Sequence, residues 1–283
     1  MENQEKIKQS GKVFWGEVFL FSLTLVLGIL AARKINEILR SEGIVPPPIS
    51  FWQFLLYFFS ATLFIFLISR FSKIKRGREV IFKGIFVLAV FWGGSLLLSL
   101  WLPDLLALFL TAVLIFFWLK KSLILIHDLA VILGIAGVGA FLGLRFTPWL
   151  VVIILAILSI YDFIAVYKTK HMIKMAKEMM ATGSILALIC PPRISDFKAG
   201  LKEVRPGGRF LILGGGDVAF PLLLCVSLVP EGVLSALIVA VFALAGLGTS
   251  FYFFISQRVR RPVPALPPIP VFSIIGFLVT LVI

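Results

Sequence analysis

Two aspartates in this 283-residue chain sit where carboxylates are seldom found. Asp162 lies in LSIYDFIAVY and Asp217 in LILGGGDVAFPLLL, each flanked by apolar residues on both sides. An ionisable side chain inside hydrocarbon is costly, so such a group marks a functional site by default. Two carboxyls at one level in a low dielectric cannot readily both ionise, and they come to share a single proton. That state can hydrolyse an amide. The ionised carboxyl takes a proton from water as the water attacks the carbonyl, while the protonated one supports the carbonyl oxygen and then helps to protonate the leaving nitrogen. No Ser/His/Asp set, HExxH box or phosphate-binding loop competes, and the histidines are His127 and His171 alone. Cys190 and Cys225 show neither CxxC nor Cys/His spacing, so no disulfide is indicated, and no metal or cofactor is expected.

Glycine and proline mark the backbone around these acids. Gly214, Gly215 and Gly216 directly precede Asp217; consecutive glycines weaken a helix and clear side chains from beside the carboxyl, so a substrate backbone could come close. The plainer alternative is close helix packing. Before the last apolar run, RRPVPALPPIPVF carries Pro262, Pro264, Pro267, Pro268 and Pro270, which forbid a regular helix there. Broken backbone at membrane depth is tolerated only against protein or a water-filled cavity, so this segment either lines a site or caps the last helix. Glu17, and Asp128 beside His127, fall in the first turns of their apolar runs and read as interfacial or structural groups.

The acids need helices to hold them. Apolar residues make up 60% of the chain and Asp, Glu, Lys and Arg 14%, where soluble domains have roughly 45–50% and about 25%. With a mean hydropathy of +1.08 and apolar runs of about 20 residues recurring from Val13 onward, the sequence predicts an all-α polytopic membrane protein. A soluble enzyme, a disordered chain and a disulfide scaffold are excluded. Cutting at charges and at Pro/Gly clusters gives about nine spans, near 13–32, 51–69, 80–102, 103–119, 123–143, 147–167, 209–229, 231–253 and 265–283. The first has too long an apolar core for a secretory signal and reads as a retained helix. The net charge of +13 signals topology rather than nucleic acid, because the basic residues occupy short gaps between spans. With the N-terminus cytoplasmic and the C-terminus extracellular, only Arg33, Lys34, Arg40 and Arg145 of the 27 basic residues fall outside; one missing span would scramble that partition.

Three parts follow: residues 1–167, a six-helix half with Asp162; 168–208, a cytoplasmic connection; and 209–283, a three-helix half with Asp217 and the proline-rich segment. Span six places Asp162 about 8 Å from its cytoplasmic end, and a helix starting near Arg209 places Asp217 about 12 Å in, so the carboxyls share the cytoplasmic third of the membrane. The connection is long for a compact fold. Met172, Ile173, Met175, Ala176, Met179 and Met180 recur at helical spacing among Lys174, Lys177 and Glu178, which predicts an interfacial amphipathic helix. SILALIC follows as a strand, plug or re-entrant piece. It is expected to offer an edge on which an unwound substrate pairs as a strand.

Together these motifs resemble the presenilin and signal peptide peptidase family of intramembrane aspartyl proteases. The family pattern is Tyr-Asp on the sixth helix, Gly-x-Gly-Asp on the seventh and Pro-Ala-Leu before the ninth; here the matches are Tyr161 and Asp162, Gly214, Gly216 and Asp217, and Pro264, Ala265 and Leu266. The resemblance covers essentially the whole chain. It implies a presenilin-like fold and hydrolysis of single-span helical substrates inside the membrane by Asp162 and Asp217. Tyr161 and Gly214 to Gly216 would support the active site, and Pro264, Ala265 and Leu266 would line the substrate groove. The cytoplasmic N-terminus matches presenilin and is opposite to the usual signal peptide peptidase orientation. Presenilin has a larger loop between spans six and seven and works with partner subunits; this compact chain resembles a prokaryotic, archaeal homologue acting without them. The prepilin peptidase type also uses a membrane Gly-x-Gly-Asp but is not expected to combine it with Pro-Ala-Leu. A reading of another class is a proton-coupled transporter in which the same aspartates relay protons.

Overall fold

The computed structural model describes residues 2–71, 75–164, 185–204, 210–256 and 268–283, with the backbone alone at 2–10, 65–71, 75–79 and 162–164. Within them the apolar runs fold as α1 (Glu2–Ser41), α2 (Phe51–Phe71), α3 (Lys75–Ser99), α4 (Asp104–Lys121), α5 (Ile124–Gly143) and α6 (Pro148–Ile164). A short antiparallel pair, β1 (Ala187–Cys190) and β2 (Leu211–Gly214), precedes α7 (Gly215–Ser227), α8 (Val233–Ile255) and α9 (Pro268–Thr280). The nine described helices correspond to the nine apolar runs. The predicted amphipathic helix at 172–180 lies outside the described residues.

α5 is the hub, packed against α1, α3, α4, α7 and β1. Lipid tails are as apolar as leucine, so close van der Waals contact between small residues draws such helices together. Gly93 of α3 and Gly137 of α5 cross so tightly that a Cβ on either would run into backbone of the other helix. Across the bundle, α8 and α9 form a closely packed hairpin, and α9 also touches α6 and α7. Among the described residues, the stretches long and apolar enough to cross a membrane are Gly11–Ser41, Val80–Ser99, Ile124–Gly143 and Val233–Ile255. By contrast α7 has 13 residues, about 20 Å of helix against ~30 Å of hydrocarbon.

Two elements differ from the sequence reading. The seventh run was expected to be helical from 209, but Leu211–Gly214 is a strand and the helix begins at Gly215. Three glycines make helix poor here, and SILALIC supplies the alternative: Ala187 stands opposite Gly214, Leu188 opposite Leu213, Ile189 opposite Ile212 and Cys190 opposite Leu211. The ladder continues through the Gly215 N–H, which donates to Leu186 O at 2.9 Å. The second difference is depth. α1 starts at Glu2 rather than near 13, so Glu17 lies four turns into it and is buried, and His127 and Asp128 are buried as well. Of the two readings, interfacial or structural, burial favours the structural one for Glu17 and Asp128.

His127 and Asp128 instead hold β1. The Trp118 indole N–H donates to His127 Nδ1 at 3.1 Å. An indole nitrogen can only donate, so Nδ1 accepts and the imidazole proton sits on Nε2. From there it is donated to Ala187 O at 3.1 Å. The imidazole stacks on Phe86, with ring centroids 5.3 Å apart and planes 8° from parallel. Asp128 Oδ1 accepts the Ile189 N–H at 2.9 Å. Further along, the same segment is tied to the α4–α5 turn: the Ile124 N–H donates to Ala199 O and the Leu201 N–H to Ser122 O.

These bonds give a prediction. Asp128→Ala strands the buried Ile189 N–H and lowers stability by about 1–3 kcal/mol, whereas Asp128→Asn keeps an acceptor and loses much less. Thermal unfolding in detergent reads the difference; equal melting of the two variants would refute the anchoring role.

Candidate active site

Asp217 is the third residue of α7, directly after the strand-to-helix junction. The expected 12 Å of helix before it does not exist. The carboxyl lies at the mouth of a short helix, where the first-turn N–H groups have no partner within the helix. Each glycine has a separate steric role. A Cβ at Gly214 would lie 3.0 Å from Asp217 Oδ2, so the missing side chain leaves space for the carboxyl folded back over the helix start. At Gly215 a Cβ would sit 2.8 Å from Leu186 O, against the backbone that β1 brings alongside. Gly216 is exposed, which leaves a bare face beside Asp217.

Asp162 lies on α6, two residues before Ile164, where the described residues of that helix end. Its helix packs directly against α7, so the Asp162 and Asp217 backbones belong to neighbouring elements. Tyr161, beside it, is exposed. Pro264, Ala265 and Leu266 lie outside the described residues, just before α9, which packs against both α6 and α7. The helix carrying Asp162, the helix carrying Asp217 and the helix that follows Pro-Ala-Leu thus pack against one another. Among the described residues, no cluster of His, Cys, Asp and Glu fit to hold a metal is formed.

Glu17, read from the sequence as an interfacial or structural group, is 5% exposed and its Oε2 has no hydrogen-bond partner. A signal was present: Glu17 stands three, four and seven residues before the buried Leu20, Phe21 and Thr24, on the packed stripe of α1. Cys190 is fully buried in β1. It is an inert thiol.

Residues 18–283 match the family described as signal-peptide peptidase, presenilin aspartyl protease. No curated protein matches the sequence. Among solved structures, a presenilin family intramembrane aspartate protease in a C222 crystal form superposes with a TM-score of 0.63 at 23% identity, covering 94% of this chain and 98% of that one. A structure of a presenilin family intramembrane aspartate protease in a P2 form gives 0.60 at 23% identity, covering 93% and 96%. The transporter reading finds no support in them. The family match takes in all but the first residues, and the chain belongs to the signal-peptide peptidase and presenilin family of intramembrane aspartyl proteases.

Proposed function

We propose that Asp162 and Asp217 are the catalytic pair of this membrane hydrolase and that they cut single-span helical substrates with one shared proton. The observation that carries the reading is Asp217 at a glycine-cleared helix start, on a helix packed against the one bearing Asp162. In the reaction the ionised carboxyl removes a proton from water as the oxygen bonds to the peptide carbon. The other carboxyl gives its proton to the carbonyl oxygen, producing a neutral tetrahedral diol. Collapse of the diol breaks the carbon–nitrogen bond, the nitrogen takes the proton held by one carboxyl, and a diol hydroxyl passes its proton to the other carboxylate as the carboxyl product forms, which restores the shared-proton state. Tyr161 and the bare face at Gly216 support the carboxyls, and Pro264, Ala265 and Leu266 line the groove beside them.

A helical substrate hides its carbonyls in its own hydrogen bonds and must be opened first. The sequence pointed to SILALIC as the receiving edge, but both edges of β1 are occupied, one by β2 and the other by His127 and Asp128. The alternation of an antiparallel ladder moves the edge to β2. Ala187 and Ile189 turn their polar groups to α5, so Leu188 and Cys190 face Leu213 and Leu211. Ile212 and Gly214 then turn theirs outward, immediately before Asp217, and the described sheet has no third strand. A substrate opened into a strand pairs there. The N-terminus is cytoplasmic, as the basic residues argue, and the helical halves 1–167 and 209–283, joined by the 168–208 connection, act without obligatory partner subunits.

Two experiments test this. In liposomes containing only the purified chain and a single-span reporter helix, Asp162→Asn and Asp217→Asn should each lower cleavage by at least about 10²–10⁴-fold with melting preserved; a variant that still cleaves would remove that residue from the pair. For the edge, Ile212→Pro deletes an outward N–H without touching the β1 ladder. It should slow cleavage by roughly tenfold or more, the loss of about 1.4 kcal/mol, and unchanged cleavage by a folded Ile212→Pro protein would return the substrate to another surface.

A further inference from the structure

Basic residues from two distant parts of the chain come together at the end of α5 that holds the sheet. α4 closes on Lys120 and Lys121. Arg193, Lys198 and Lys202 belong to the segment that follows β1, in and beside the short helical turns Ile194–Lys198 and Leu201–Glu203. Backbone bonds set the two groups side by side: the Ile124 N–H donates to Ala199 O at 3.0 Å, the Leu201 N–H donates to Ser122 O at 2.8 Å, and Leu123 stands opposite Gly200. Lys121, Lys198 and Lys202 are each one residue away from a bonded position. Two acids share this surface, Asp196 and Glu203, and Glu203 Oε1 accepts the Gly200 N–H at 3.2 Å. All five cations are exposed, and among the described residues none of them is in an ion pair.

The patch lies at the hydrocarbon boundary. Phe116, Phe117 and Leu119 are exposed on α4 immediately before Lys120 and Lys121, and exposed apolar side chains on a membrane helix face lipid tails. Lys120 Nζ stands 5.2 Å from the Phe116 ring centroid, which puts the ammonium at the edge of that surface. On the loop, Ile194 is 89% exposed beside Arg193; an apolar side chain standing out of a basic surface suits a segment that lies on a membrane. A surplus of like charge at short range repels itself, and the anions nearest by position are those of the lipids that α4 already faces. We propose that this patch is a docking surface for anionic phospholipid headgroups, held by Lys120 and Lys121 from the helix end and by Lys198 and Lys202 from the loop. A headgroup bridging the two sides ties the loop to the α4–α5 turn. Because the loop leaves β1 at Cys190, the tie also steadies the sheet. The surface is independent of which residues carry out catalysis.

The test is thermal unfolding of the full chain in detergent, titrated in parallel with phosphatidylglycerol, phosphatidylcholine, inorganic phosphate and polyglutamate. Phosphatidylglycerol should raise the melting temperature by about 2–4 °C, and the rise should shrink as salt is added. In a variant combining Lys120→Gln, Lys121→Gln, Lys198→Gln and Lys202→Gln the rise should drop to about half or less. A control combining Arg33→Gln and Lys34→Gln, near the C-terminal end of α1, should keep it. A full rise in the fourfold variant, or an equal rise with phosphatidylcholine, overturns the proposal. So does a rise given equally by inorganic phosphate, which needs no membrane, or one given by polyglutamate and not by phosphatidylglycerol, which would assign the patch to an acidic protein. Where the fourfold variant does not fold, the two double variants, one on α4 and one on the loop, carry the same test: each should lose part of the rise, and full rises in both overturn the idea.

Discussion

Non-helical backbone beside a carboxyl in the membrane has to satisfy its own hydrogen bonds, and much of the active region depends on how that is met. Each unsatisfied N–H or C=O in hydrocarbon costs several kcal/mol. The chain abandons helix at Leu211–Gly214, and β1 restores the lost bonds through a four-residue ladder. β1 then has an edge of its own to cover. His127 and Asp128 cover it with side chains from α5, the best-packed helix. Polar residues that look like an interfacial fringe in the sequence thus close the ladder. Trp118 and Phe86 fix the imidazole in turn, which extends the chain of dependence to α3 and α4.

Once the ladder is closed, the glycines can take their particular places. Gly215 allows Leu186 to approach, and that contact joins the end of the sheet to the start of α7. Gly214 gives the Asp217 carboxyl room to fold back. Neither role is the general loosening of a membrane helix that three consecutive glycines suggest. Each is a single close approach, and α7 continues to Ser227 with Pro221 inside it. The short helix and the strand divide the work of crossing the membrane, so the carboxyl sits at their joint.

How legible this was depended on how far apart in the chain the cause and the effect lay. The helices could be read because burial in lipid demands apolar runs of known length, and charge partition checked their number independently. Asp162 and Asp217 stood out because an acid in such a run has few bland explanations. The helix expected before Asp217 was misjudged because strand and helix cannot be separated in LILGGGD without the partner strand, and that partner lies more than 20 residues earlier in SILALIC. Glu17 was read as interfacial or structural, without a choice between them, because the polar residues before Val13 hid a helix that starts at Glu2. Its spacing from Leu20, Phe21 and Thr24 held the better answer.

The same physics limits how such a site can recognise a substrate. A strand edge made of Ile212 and Gly214 reads main chain, and main chain is common to every sequence. Discrimination then falls on two other quantities: how readily a helix gives up its internal bonds near the carboxyls, and whether its side chains fit as they alternate along the edge. Glycine in place of bulk beside Asp217 relaxes the second constraint on the face nearest the chemistry. On the proposed edge, what remains is chiefly the first, and selection would fall on helices that open readily beside the carboxyls. The place of Asp217 beside that edge is set by the joint between β2 and α7, and through β1 by the two buried side chains of α5 that hold the sheet in place.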